Sequence, residues 1–132
     1  MKTFNSFLAL ILATGVISAC KKEETQAVPF SGSIQIISPS LNDTVSNTPS
    51  FQIVALAEAN KEMHGYSIQV FDNNTEALLF EDQQHTHSSS YSIQKDIHLN
   101  IIDTTALRLV IETAGDHADE KQTKTHHFLL IP

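Results

Sequence analysis

The chain is 132 residues long, enough for one domain, and acidic: eight Lys and Arg stand against fifteen Asp and Glu, a formal charge of −7. A surface of that sign excludes a nucleic-acid binder, which needs basic residues to displace counterions from phosphate. The single cysteine, Cys20, excludes an internal disulfide, so the folded part must be held by its apolar core alone.

Residues 1–19 read as a secretory signal peptide. Lys2 supplies the positive start, the apolar run from Phe7 to Ile17 is too short to span a bilayer, and small residues lead up to Cys20. The junction Ile17-Ser18-Ala19-Cys20 resembles a bacterial lipobox, which implies cleavage before Cys20 and acylation of its thiol and amine. Several acyl chains on one residue anchor stably, where one chain binds only marginally. The following KKEETQ resembles the Lys-then-acidic export signal of Bacteroidota surface lipoproteins. Together these imply an outer membrane lipoprotein, facing the periplasm or exposed on the cell surface. Residues 20–32 then form a polar tether with one Pro and one Gly.

From residue 33 to 132 the apolar residues alternate with period two rather than 3.6. Strands are predicted over 33–39, ended by Pro39, and over 51–57, with Phe51, Ile53 and Ala55 on one face. The intervening SLNDTVSNTPS reads as a turn-rich connection, and ANKEMHG as a loop. A strand over 66–72, with Tyr66, Ile68 and Val70 inward, is joined to one over 77–82 by the turn NNTE. Strands over 91–99, over 108–114 with Leu109 and Ile111 inward, and over 125–131 complete the chain. About seven short strands in about a hundred residues predict a single antiparallel β-sandwich. The opening IQIISPSLNDTV resembles immunoglobulin-like and fibronectin-type-III-like modules, although the chain contains no Trp for a central core position.

Strand counting also places the histidines. If successive strands run up and down, His64 precedes the 66–72 strand at the top, and His85 and His87 follow the ascending 77–82 strand to the same end. His117 lies in the turn above 108–114, and His126 and His127 open the last strand, again at the top; His98 falls at the bottom as a surface position. Six of seven histidines therefore gather at one pole. Neutral imidazole suits zinc and copper, and three or four ligands within about 2.0–2.3 Å make a site. The i, i+2 spacing of His85 and His87 puts both rings on one face of extended chain. Glu62, Asp116, Asp119 and Glu120 are available as ligands or as acceptors that fix a tautomer, with Asp116 the preferred helper; Met63 would favour Cu(I) if it pointed in.

The pieces Met63-His64-Gly65, His85-Thr86-His87, Asp116-His117 and His126-His127 resemble a group of small Bacteroidota lipoproteins with a histidine-rich Ig-like domain. That resemblance implies a metal-linked role, but without the longer histidine runs that would carry a second ion. The expected function is capture, buffering or transfer of a Zn or Cu ion by a membrane-anchored protein, with an envelope protein as its partner. The competing function is a non-catalytic adhesion module that binds a glycan or a protein without metal. Taken alone, His85-Thr86-His87 is equally a solvated loop, and His126-His127 equally a polar guard on an edge strand. An enzyme is not expected: Ser88-Ser89-Ser90 beside His87 has nothing to position a nucleophile or an oxyanion hole.

Overall fold

The computed structural model describes residues 28–132; the expected signal peptide over 1–19, Cys20 and most of the expected tether lie outside the described residues. The strands are β1 (Gly32–Ser38), β2 (Thr44–Ser46), β3 (Phe51–Met63), β4 (Tyr66–Asp72), β5 (Leu78–Gln84), β6 (Ser88–Ile97), β7 (Thr105–Ala114) and β8 (Lys121–Ile131). They form two sheets, β1-β3-β6 and β2-β8-β7-β4-β5, packed face to face. This is an immunoglobulin-like sandwich: the hairpins β4–β5 and β7–β8 stay within the larger sheet, while the chain crosses between sheets from β3 to β4, β5 to β6 and β6 to β7, as in that architecture.

Period-two alternation builds the core. Phe51, Ile53, Ala55 and Ala57 of β3 and Tyr91, Ile93 and Ile97 of β6 face Ile68 and Val70 of β4, Leu107, Leu109 and Ile111 of β7, and Phe128 and Leu130 of β8. All are buried, and the Phe51 and Phe128 rings meet across the sheets at 5.7 Å. Without a disulfide, the sandwich rests on this interleaving, each fully buried aliphatic side chain contributing about 1.5–3 kcal/mol.

The structure departs from the expected strands in three places. The count is eight, because Thr44–Ser46 pairs with β8, and it does so in parallel, so the sandwich is not wholly antiparallel. Three residues carry too little alternation to announce a strand. Second, β3 runs on through the expected loop to Met63. Beyond Glu58 it advances five residues while its partner β6 advances two, from Ser90 to Ser88, so the segment between arches out of the ladder. Third, β8 begins at Lys121 rather than 125, its polar first half pairing with β7 from Ala114 downward. The strand over 77–82 is confirmed as β5, at the edge of the larger sheet.

At the lower pole Asp72 caps the β4–β5 turn. Its Oδ1 accepts the amides of Asn74 at 2.8 Å and Thr75 at 3.1 Å, which hold the carboxyl below its ordinary value of 3.8. A carboxyl depressed in the folded state stabilises fully above its unfolded value and loses that contribution as pH falls through the folded one. The melting temperature of Asp72→Ala should therefore lie below wild type at neutral pH, with the gap closing under strong acid. In the core, Leu109→Ala should cost about 2–5 kcal/mol in urea unfolding, whereas Ile102→Ala, at a position 87% exposed, should stay within about 0.5 kcal/mol.

Candidate metal centre

Two chain segments carry three imidazoles to the upper pole. The first is Met63-His64-Gly65-Tyr66, where the chain leaves β3 in one sheet and enters β4 in the other. Gly65 makes that crossing possible. Its φ of 137° is unfavourable for an L side chain, and a Cβ there would collide with the Gln84 carbonyl oxygen. The second is His85-Thr86-His87, which joins β5 to β6. The backbone amide of His64 donates to the Ala114 carbonyl at 2.7 Å, so the first segment is also tied to the top of β7.

One side chain pins the two segments together. The buried Tyr91 hydroxyl lies 2.9 Å from the Met63 carbonyl oxygen and 2.6 Å from that of Thr86, and shares its one proton between them. Desolvation pushes the Tyr91 hydroxyl pKa up, so it keeps that proton, and the Tyr66 ring braces the phenol at 5.3 Å. The residues just before His64 and between His85 and His87 are therefore fixed relative to one another by a buried bond.

The rings of His64 and His87 lie 4.4 Å apart, those of His85 and His87 5.3 Å, and those of His64 and His85 6.4 Å. Two carboxylates flank them. Glu62, on the arched end of β3, places Oε1 3.1 Å from His87 Nδ1, and Asp116 Oδ1 contacts His64 Nε2. Ligand atoms of Glu62, His64 and His87 all fall within 4.8 Å of one another. Donors around a tetrahedral ion at about 2.0–2.1 Å stand roughly 3.4 Å apart, so small rotations of these half-exposed side chains would close on a metal. His85 is the next donor in reach, and Asp116 can orient the His64 ring.

The other expected ligands do not join. His126 and His127 pair with Leu109 and Arg108, five and six residues below Lys121, which places them about 17–20 Å down the strand. His126 Nδ1 instead lies 3.3 Å from the Pro39 carbonyl oxygen, and His127 lines a hollow with Asn42 and Asn73 near the lower pole. The early start of β8 causes this: four more residues of strand carry the pair down from the top. His117 does stand at the upper pole, but in a separate hollow with Lys61, Asp119 and Glu120, where its amide meets Glu120 Oε2 at 3.3 Å. Although burial pushes the Glu120 carboxyl up, hydrogen bonds from Lys61 and from that amide hold it below the ordinary range. Met63 is 1% exposed and belongs to the apolar core, so its thioether is spent on packing. His98, at the lower pole as expected, lies 3.0 and 2.9 Å from the carbonyl oxygens of Asn47 and Pro49.

Glu62 is the ligand that strand counting missed as a specific contact. Its neighbourhood with His87 follows from the arch in β3, for which the polar run ANKEM gives no periodic signal. No family model matches the chain, and no curated protein matches it.

Tyr91→Phe should cost about 1–3 kcal/mol in urea unfolding, because it leaves two carbonyl oxygens at the pole without their donor. Gly65→Ala should destabilise at least as much, since it combines backbone strain with a backbone collision.

Proposed function

We propose that this protein binds a zinc or copper(II) ion at the upper pole through His64, His87 and Glu62, with His85 as the fourth donor and Asp116 orienting His64. The observation that carries the reading is the convergence of three imidazoles from two separate connections beside two carboxylates. A mixed nitrogen and oxygen donor set suits these two ions, and with Met63 in the core there is no soft donor to favour Cu(I). The side chains of His64 and His87 are 35% and 49% exposed, which suits an ion that arrives and leaves rather than one sealed in to hold the fold. With Cys20 acylated, the chain is an outer membrane lipoprotein that captures, buffers or passes on metal at the envelope.

Calorimetric titration of the unlipidated chain, residues 21–132, with Zn²⁺ and Cu²⁺ at neutral pH tests this. Micromolar or tighter binding is expected, lost in the His64→Ala/His87→Ala double variant and weakened about 10–100-fold by Asp116→Ala. His126→Ala/His127→Ala should bind as wild type. Equal binding by the first double variant would sink the assignment, and an adhesion module would bind its glycan or protein unchanged in the presence of chelator.

A further inference from the structure

The chain enters the sandwich at the same pole as the imidazoles. Asn60, on the arched end of β3, grips the incoming segment three times. Its amide donates to the Ser31 carbonyl oxygen at 2.8 Å, its Oδ1 accepts the Ser31 amide at 2.8 Å, and its Nδ2 donates to the Pro29 carbonyl oxygen at 2.8 Å. Phe30, between them, packs partly buried against the core and lies close to Gly115. The segment is therefore docked two residues in sequence from Glu62 and four from His64. Every later strand end at this pole belongs to the candidate metal centre or to the hollow beside it, while β8 runs down to Ile131 at the lower pole.

Pro29, the clamped residue, is nine Cα steps from Cys20. Fully extended they span about 30 Å. β3 climbs from its pairing with Ile97 to its pairing with Ser88, nine residue steps of β6 or roughly 30 Å, so the lower pole stands a domain length beyond the point of attachment. However the domain swings on such a tether, the upper pole stays within reach of the anchor, and the bilayer excludes the orientations that would bury the body of the domain in lipid.

We infer that the histidine centre is carried on the membrane-facing pole and exchanges its ion at the bilayer surface, with a partner embedded in the membrane rather than a soluble protein arriving from the far side. This rests on the lipid anchor at Cys20 and on the metal centre proposed above. A soluble partner would have to share a space at most about 30 Å deep with the tether and the bilayer. A membrane protein that opens its metal entrance at the bilayer surface already faces the site.

The full lipidated protein in phosphatidylcholine vesicles tests the orientation. Acylation of Cys20 leaves an added cysteine as the one free thiol, so a donor dye can be placed at Ala118→Cys in the exposed upper turn or at Asn74→Cys in the lower one, with an acceptor on lipid headgroups. The expected result is energy transfer about twofold or more stronger from 118 than from 74, given the roughly 30 Å between the poles. Asn60→Ala, which removes the two side-chain bonds to Ser31 and Pro29 and loosens the clamp, should narrow the contrast. Vesicle binding with equal transfer, or with stronger transfer from 74, overturns the orientation while leaving the anchor and the metal centre standing. Failure of the full chain to bind vesicles, with Cys20→Ala as the unanchored reference, overturns the anchor and this inference with it. The calorimetric titration judges the metal centre independently of both.

Discussion

The upper pole is organised around one phenolic proton. Tyr91 is held in the core by its ring, but its hydroxyl reaches the surface layer and meets the carbonyl oxygens of Met63 and Thr86. A buried carbonyl without a partner costs about as much as the bond that would satisfy it. The bond to Tyr91 therefore keeps the β3–β4 crossing and the β5–β6 connection from fraying apart. These connections belong to different stretches of sequence and pass between the two sheets, and the Tyr91 bond ties them together between the ladder pairs Met63–Ser88 and Tyr66–Gln84 that flank them. Loops are where a small sandwich is softest, and an ion site made of loop side chains needs such a brace to keep its donors within a few ångströms.

The lower pole shows the contrasting use of the same means. Asn47 is buried, its side chain exchanging bonds with the amide and carbonyl of Leu99 at 3.0 and 2.5 Å, and His98 sits against the neighbouring backbone. There Asn47 and His98 are consumed by the backbone. At the upper pole the Tyr91 hydroxyl does the holding, which leaves the imidazoles of His64, His85 and His87 facing each other and the two carboxylates.

Much of this was legible in the sequence because the strongest signal, alternation of large aliphatics, is also the one that decides which strands lie in the core. Ile68, Val70, Leu109 and Ile111 announce their strands and their inward faces directly. The grouping of His64 with His85 and His87 then follows from the up-and-down course of β4, β5 and β6. Errors arose where strands run past the apolar interior. The end of β3 beyond Glu58 and the start of β8 carry mostly polar side chains, which show no apolar periodicity, and the extra residues at the start of β8 moved His126 and His127 far from where turn-like composition puts them. Glu62 emerged for the same reason in reverse, raised to His87 by an arch that composition does not encode. The tight turn of Gly65 is visible as a glycine, but its collision partner, Gln84, lies nineteen residues away and is a property of the fold.

The edge strand β5 has a further consequence. It ends the larger sheet, and along its outer side backbone amides and carbonyls are open to another chain, next to Leu78 and Leu79, which are exposed. Such an edge is a template for self-association. Asp82 shares the parity of Phe80 and lies opposite Ile68 of β4, yet it is a carboxylate, and it closes on Lys95 Nζ of the other sheet at 2.9 Å. A charge turned inward at the rim, tethered across the open flank of the sandwich, makes a flat docking of a second edge costly, because stacking would strip water from the pair. The same rim runs on into His85. Guarding it therefore protects the colloidal behaviour of an acidic domain and keeps neighbouring copies from zipping over the imidazoles.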